Sequence, residues 1–354
     1  MFRIQPIKNG KDYINNIIKG MEQHAQKSRE DIDKRWSNSN ASKGKDTETI
    51  TLDKRKDLEL DKIRYINRNV NKDLRKVYKS FPRMTKISPI YKELLDTSST
   101  PVEKLSEALT TVHWITQRCD ELSMITERKI KYAKTHQTVG FLMKKYLGKV
   151  NSLFDKNSYS FKVLQDARFF LNSLPEFKEL FTVTFMGFPN VGKSTLMKKV
   201  TGSDVEIQNY PFTTKGLMFG YITHNESRIV QIIDTPGLLG RNKQNSIEQR
   251  ADLVLRNYSN ASVFVLDVTE SCGYQIESQI KLLKKFSMND RPFLIYLSKT
   301  DIYTEEEEEK LEEIYKKISK YEVFRDYEDL KKRILELRIN NMKNFDPTRV
   351  KVIS

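Results

Sequence analysis

Two different patterns of apolar and polar positions divide the chain near Pro175. Before Pro175, apolar residues recur at spacings of three and four among charged residues, which is the period of an amphipathic helix. The clearest example, 100–133, contains one stripe formed by Leu105, Ala108, Val112, Ile115, Cys119 and Leu122. The same period predicts further helices at 12–36, 52–81, 88–95, 141–154 and 160–173, with a polar loop at 37–46. Several such helices packed antiparallel form a bundle whose core is these stripes.

After Pro175, short β-rich runs alternate with helical stretches. The predicted strands are 181–186, 217–223, 229–233, 263–267 and 293–297. This alternation is typical of a mainly parallel sheet with flanking helices, in which ligands bind at the carboxyl ends of the strands. The sequence therefore predicts an all-α helical-bundle domain at 1–176, followed by an α/β domain with a short C-terminal tail at 177–354.

A loop with phosphate-binding chemistry follows the first predicted strand. Residues 187–194 have the pattern Gly-x-x-x-x-Gly-Lys-Ser and lie between a strand and a helix. Glycine lets the backbone approach phosphate, and successive N–H groups at a helix N-terminus present positive potential. Lys193 can reach the outer phosphates, and Ser194 can offer its hydroxyl to magnesium. The predicted nucleotide-binding residues here are Gly187, Phe188, Pro189, Asn190, Val191, Gly192, Lys193, Ser194 and Thr195.

A second motif follows the predicted strand 229–233, 47 residues after Gly187. A carboxylate at a strand end can hold magnesium through water, and a glycine N–H can donate to a terminal phosphate. We therefore predict that Asp234 is a magnesium ligand and that Gly237 contacts the terminal phosphate. The motif adds four predicted nucleotide-binding residues: Asp234, Thr235, Pro236 and Gly237.

The segment 209–215 lies between these two motifs and reads Asn-Tyr-Pro-Phe-Thr-Thr-Lys. A threonine hydroxyl in a mobile loop can join magnesium when the third phosphate is present, which gives an order–disorder switch on hydrolysis. We predict nucleotide contacts for Phe212, Thr213 and Thr214. The threonine doublet leaves two candidates for the magnesium ligand.

A fourth segment, 298–301, follows the predicted strand 293–297 and supplies base recognition. Asp301 can accept two hydrogen bonds from the N–H and amino groups of guanine, whereas adenine would leave this carboxylate poorly paired. Lys299 can lie along the base plane. These residues resemble the N-K-x-D guanine-specificity motif of regulatory GTPases, with Ser298 in place of asparagine. We therefore expect GTP and GDP as ligands, with weaker bracing of the loop.

The residues that would support hydrolysis are Lys193, Gly237 and Asn190. In Ras-like proteins a glutamine directly after D-x-x-G orients the attacking water, but here that position is Leu238. Hydrolysis is therefore expected to be slow, or to depend on other groups. Asn190 matches a G-x-x-N-x-G-K-S pattern of GTPases in which this asparagine helps to bind potassium near the leaving phosphate; its other interpretation is a brace for the loop.

The motifs together resemble the Obg superfamily of GTPases, whose Y-P-F-T-T loop favours Thr214 as the magnesium ligand. Residues 267–274, Asp-Val-Thr-Glu-Ser-Cys-Gly-Tyr, resemble the D-x-S-E-x-C-G-Y segment of the nucleolar GTP-binding protein (Nog) family, with Thr269 in place of serine. The resemblance extends to the first half, at 81–95 and 130–134. It implies an α/β P-loop GTPase domain after the helical bundle. A recognisable S-A-K loop is missing; 318–330 should occupy its place.

The Nog resemblance also implies a role in assembly of the large ribosomal subunit, with binding to ribosomal RNA. Its eukaryotic members continue with basic tails, so this chain looks like the shorter archaeal type. We therefore expect a cytoplasmic protein, nucleolar only in a eukaryote.

The distribution of charge fits an RNA partner independently. The net charge is +15, and residues 1–180 alone carry 36 Lys and Arg against 23 Asp and Glu. A strongly basic unit suits a polyanion, although a solvated, lysine-rich helical surface gives the same excess. The alternative function is a GTP-dependent regulator whose helical half binds a protein or an anionic membrane surface. The sequence contains no apolar segment that could span a membrane, and its two distant cysteines fit a reducing, intracellular compartment.

Overall fold

The structure is a computed structural model that describes residues 2–38, 43–202, 205–212, 216–234, 253–255, 257–287 and 291–343. The chain divides into two compact units, Phe2–Asn172 and Ser173–Ser354. Among the described helices, none combines the length and apolar character needed to cross a membrane.

The first unit consists of six described helices. They are α1 (Gly10–Asn38), α2 (Thr47–Ser80), α3 (Pro89–Thr97), α4 (Val102–Lys131), α5 (His136–Lys156) and α6 (Ser158–Ser173). Two of them begin about five residues before their apolar pattern does, because a capping side chain satisfies the first free N–H groups. Asp46 accepts from Thr49 N at the start of α2, and Thr135 accepts from Thr138 N at the start of α5.

The core of this bundle is formed by the predicted apolar stripes. All six stripe residues of α4 are buried, so the prediction of a helix there is confirmed. Phe154 of α5 and Phe161 of α6 are fully buried and stack with their ring centroids 5.8 Å apart. The apolar face of each helix therefore points into the core, and charged residues face solvent, as the period of the sequence requires.

The second unit is built on a seven-stranded sheet with the order β2-β3-β4-β1-β5-β6-β7. The strands are β1 (Phe181–Met186), β2 (Glu206–Gln208), β3 (Leu217–His224), β4 (Ser227–Asp234), β5 (Ala261–Asp267), β6 (Phe293–Ser298) and β7 (Glu322–Phe324). Strands β4, β1, β5, β6 and β7 pair in parallel, whereas β2 and β3 join antiparallel. The five strands predicted from the sequence are all present, and the mainly parallel sheet is confirmed.

Four described helices cover the two faces of this sheet. They are α7 (Lys193–Thr201), α8 (Ile276–Phe286), α9 (Glu305–Ile318) and α10 (Tyr327–Lys343). One apolar cluster contains residues of α7 and α10, and a second contains residues of α8 and α9. Because both faces are covered, successive residues of the central strands β1, β5 and β6 are buried instead of alternating between buried and exposed.

A tight hairpin joins β3 to β4. Its two turn residues, Asn225 and Glu226, both have positive φ (49° and 62°), as in the type I′ turns that suit the twist of paired strands. The antiparallel register runs from His224 opposite Ser227 to Met218 opposite Asp234. At the open end of the hairpin, β4 therefore ends at Asp234, and β3 begins just after the segment 209–215.

The contact between β3 and α7 depends on a residue without a side chain. A Cβ built on Gly220 would lie 2.8 Å from Thr201 Cγ2 and 2.9 Å from Met197 Cγ. The Gly220→Ala substitution is expected to lower the free energy of unfolding of the second unit by about 1–3 kcal/mol, because overpacking forces a shift of α7. Urea unfolding followed by far-UV circular dichroism would measure this change.

Two controls accompany this measurement. Gly148→Ala adds a methyl group that meets nothing within 4 Å and is expected to stabilise its helix slightly. Both tryptophans of the chain, Trp36 and Trp114, lie in the first unit, so their fluorescence follows the unfolding of that unit separately from the circular dichroism of the whole chain. An unchanged circular dichroism transition would contradict the packing argument.

Candidate functional site

The phosphate loop connects the carboxyl end of β1 to the N-terminus of α7. Three of its residues have positive φ: Gly187 (142°), Asn190 (63°) and Gly192 (96°). A Cβ on Gly187 would lie 2.6 Å from the Val265 carbonyl oxygen, so a side chain is excluded there by space as well as by conformation. Backbone curled in this way, at the start of a helix, forms a concave surface that suits anions.

Lys193 is held inside this loop. Lys193 is only 6% exposed. Its ammonium donates to the carbonyl oxygens of Phe188 (2.7 Å) and Gly187 (3.2 Å). Burial lowers the pKa of Lys193, and the nearby Asp234 opposes that effect. The loop thus holds a positive charge with little access to water, where its interaction with a phosphate would be strong.

Asp234 lies beside Lys193 and Ser194, at the end of β4. The Ser194 hydroxyl donates to Asp234 Oδ2 at 2.9 Å. The second oxygen, Oδ1, is buried and has no hydrogen-bond partner among the described residues. Burial raises the pKa of Asp234, while Lys193 and Ser194 act in the opposite direction. Since buried polar atoms are normally paired, this carboxylate is suited to a ligand that is absent from the chain itself.

The chemistry of these donors fits a hydrated magnesium ion. A hydroxyl and a carboxylate are hard oxygen ligands, and magnesium binds through one or two such groups together with water and phosphate oxygens. The structure therefore brings Ser194 and Asp234 together, as the sequence suggested. Thr213, Thr214, Thr235, Pro236, Gly237 and Leu238 lie outside the described residues. Phe212 is described; it is buried, with its ring edge-on to Tyr210 at 5.0 Å.

The base-recognition segment follows β6 and lies next to the end of β5. Ser298 is paired with Asp267 in the parallel register, and its hydroxyl donates to the Leu266 carbonyl at 3.2 Å. Lys299 has a φ of 58°, and its ammonium lies 2.7 Å from Asp267 Oδ2. Asp301 is exposed, in the 3-10 turn Thr300–Ile302.

The segment 318–330, which the sequence left without an assigned base contact, forms the end of α9, strand β7 and the start of α10. Tyr296 of β6 is paired with Phe324 of β7. Burial raises the pKa of Tyr296, and the carboxylates of Asp326 and Asp301 add to the effect. Asp326 and Asp301 are therefore both close enough to Tyr296 to act on its hydroxyl.

Asp267 is the site residue that the sequence analysis missed. In the sequence, Asp267 stands out only as part of the 267–274 resemblance, yet its side chain is fully buried and forms an ion pair with Lys299. The signal available was its position: it ends a buried strand next to β1, as Asp234 does on the other side. A carboxylate in that place lies at the same edge of the sheet as Asp234 and is therefore a candidate site residue.

The comparisons with known proteins identify a relative of each of the two units. The family model of the NOG1 N-terminal helical domain matches residues 23–178, and that of the 50S ribosome-binding GTPase matches residues 182–299. An uncharacterized protein of Methanocaldococcus jannaschii is 38% identical over 248 residues, which are 69% of this chain and 69% of that protein.

Eukaryotic relatives match a smaller part of their own length. Nucleolar GTP-binding protein 1 of Drosophila melanogaster is 29% identical over 70% of this chain and 38% of that protein. The protein of the same name in Caenorhabditis elegans is 32% identical over 68% of this chain and 36% of that protein. The match therefore spans less than two fifths of these relatives. The helical unit, the P-loop GTPase domain and these relatives lead to one conclusion: the chain belongs to the Nog1 family of GTP-binding proteins.

Proposed function

We propose that this protein binds and slowly hydrolyses GTP, and that its GTP state controls docking on ribosomal RNA during assembly of the large ribosomal subunit. The observation that carries the nucleotide part is the convergence of Lys193, Ser194 and Asp234, with an orphaned carboxylate oxygen, beside a base-recognition segment. All of these groups lie at the carboxyl ends of neighbouring parallel strands, where nucleotides bind in such folds.

Each proposed role follows from the chemistry of the side chain. The phosphate loop, 187–195, cradles the phosphates through its backbone, and Lys193 exchanges its carbonyl partners for phosphate oxygens. Ser194 and Asp234 hold magnesium, with Thr214 joining them and Thr213 as the alternative. Magnesium, when bound, offsets the negative charge of the phosphates. Gly237 is assigned to donate its N–H to the terminal phosphate, and Thr235, Pro236 and Phe212 are assigned further contacts with the nucleotide.

Recognition of guanine is assigned to Ser298, Lys299 and Asp301. Asp301 accepts hydrogen bonds from the ring N–H and the 2-amino group, and Lys299 lies along the base. The absence of a glutamine at position 238 supports slow turnover, which ribosomal binding or a potassium ion at Asn190 would stimulate.

Ribosomal RNA as the partner is supported by the surface of the helical unit. Phe141 is 63% exposed with the Lys145 ammonium 5.7 Å from its ring centroid, and Phe169 is 67% exposed with the Arg168 guanidinium at 5.0 Å. Exposed aromatic rings next to cations can stack on unpaired bases while the cations bind phosphate. Together with the excess of basic residues in 1–180, these pairs favour RNA over an uncharged partner.

The base contact can be tested by exchanging its acceptor for a donor. Asp301→Asn is expected to weaken GDP binding by about a hundredfold or more, because a carboxamide cannot accept both guanine hydrogen bonds. Xanthosine diphosphate, which carries a carbonyl in place of the 2-amino group, should gain affinity. Equilibrium titration with both nucleotides would measure this. The exposed Asp329→Asn serves as control, and an unchanged preference for GDP in the Asp301 variant would exclude the assigned role.

The potassium hypothesis can be tested by comparing turnover in potassium and sodium chloride at equal ionic strength. If Asn190 binds the cation, the wild-type protein should hydrolyse GTP about tenfold faster in potassium. Asn190→Gly is the matched variant, since glycine keeps the positive φ of 63° without strain. It should turn over at the same low rate in both salts. Equal wild-type rates in both salts would leave Asn190 with the role of a brace.

The ribosomal role can be tested by co-sedimentation with large ribosomal subunits. We expect retention with a non-hydrolysable GTP analogue and weaker retention with GDP or without nucleotide. Several phosphate contacts should also make retention fall by orders of magnitude between 50 and 200 mM salt, values typical for such interfaces. Phe141→Ala with Phe169→Ala should reduce retention at both salt concentrations. Absence of retention in every nucleotide state would refute the ribosomal proposal and favour a protein or membrane partner.

A further inference from the structure

A buried carboxylate organises residues 267–274, which we name the β5 turn. Asp267 Oδ1 accepts from Thr269 N (3.1 Å) and Thr269 Oγ1 (2.7 Å). Its Oδ2 accepts from Cys272 N (2.9 Å) and, at 3.4 Å, from Ser271 Oγ. Both oxygens are therefore engaged, and the hydrogen bonds hold the chain in a closed turn directly after β5.

The same carboxylate binds the lysine of the base-recognition segment. Lys299 Nζ lies 2.7 Å from Asp267 Oδ2 and 2.8 Å from Ser271 Oγ. Burial alone would raise the pKa of Asp267, but the hydrogen bonds from Lys299 and Thr269 outweigh it and hold the pKa below the usual range. The Asp267 side chain is fully buried, and that of Lys299 is 25% exposed, so this ion pair is screened less by water and salt than a surface pair.

The far end of the β5 turn reaches the phosphate loop. The ring of Tyr274 stacks on Phe188, with the centroids 4.2 Å apart and the planes 27° from parallel. Gln279 of α8 clamps the turn from behind: its Nε2 donates to the carbonyl oxygens of Asp267 and Tyr274, both at 2.9 Å, and its Oε1 accepts from Asp267 N at 2.9 Å. One turn thus contacts both loops of the candidate nucleotide site.

We propose that Asp267 is a positioning residue for guanine recognition, which fixes Lys299 and thereby the segment 298–301 that carries Asp301. The Ser298 hydroxyl is used on the Leu266 carbonyl within the sheet, so the bracing expected from an asparagine at this place is supplied from the β5 turn. Lysine is long and flexible, and ordering it costs side-chain entropy. The buried, hydrogen-bonded carboxylate of Asp267 orders the Lys299 side chain before the nucleotide binds, so this entropy is not lost on binding. This inference rests on the proposed binding of guanine nucleotides.

The test is Asp267→Asn in the full chain, read as the ratio of affinities for GDP and inosine diphosphate. Inosine lacks the 2-amino group, so this ratio reports the contact made by Asp301. Asparagine has the shape of aspartate, but its amide has no negative charge to attract Lys299 and has one acceptor atom instead of two. We expect the preference for GDP to fall about tenfold. Competition against a fluorescent guanine nucleotide at fixed magnesium would measure both affinities.

Two further variants keep the result interpretable. Ser271→Ala removes the second contact of Lys299 from an exposed position, and it should shift the ratio in the same direction by a smaller factor, even if Asp267→Asn folds poorly. The effects of Asp267→Asn and Lys299→Met on the ratio should be less than additive, because both remove one ion pair. Asp329→Asn again controls for loss of a negative charge.

The outcomes separate this inference from the proposed function. Equal losses of GDP and inosine diphosphate affinity in the Asp267 and Ser271 variants, with the ratio unchanged, would show a general structural role and overturn the inference. Additive effects of the Asp267 and Lys299 variants would also overturn it. A wild-type protein with no preference for GDP over inosine diphosphate would instead refute the guanine assignment on which it rests.

Discussion

The parallel pairing of β1 with β4 and β5, and of β5 with β6, is the constraint on which the candidate site depends. Because these strands run in the same direction, their carboxyl ends meet at one edge of the sheet, although their residues are far apart in sequence. This geometry places residues 187, 234, 267 and 298 at the same edge of the sheet. A side chain at any of these ends needs only a short reach to meet its neighbours, which is why small motifs separated by long segments can form one site.

Two buried carboxylates at this edge differ in a way that indicates their roles. Asp267 has all of its hydrogen-bonding capacity used within the chain, and Asp234 keeps one oxygen without a partner among the described residues. The first is therefore an internal support with a lowered pKa, and the second, whose pKa burial raises, is the one we propose as a ligand-binding group. Burial disfavours the charged form in both cases, so the difference comes from the number of donors that surround each group.

Much of the fold followed from the sequence, because long apolar periods predict helices and short apolar runs predict central strands. The α4 stripe and strands β1, β3, β4, β5 and β6 are examples. Strands β2 and β7 escaped because three residues are too few to show a period. The helix starts at Asp46 and Thr135 were missed because capping, rather than burial, sets them. The proximity of Ser194 to Asp234 was predictable from motif spacing. The ion pair between Asp267 and Lys299 is instead a long-range pairing that only the order of strands reveals.

The β3–β4 hairpin has a further consequence for the relation between Asp234 and the segment 209–215. Its closed end is a two-residue turn, and its open end brings Met218 opposite Asp234. The two strands are paired along their whole length, with one irregularity of register between Ile222 and Thr223. Asp234 is therefore joined, through its pairing with Met218, to the start of β3, which follows residues 209–215 in the chain. The hairpin is thus a structural connection between Asp234, which we propose as a magnesium ligand, and the segment 209–215, which we propose to contact the nucleotide.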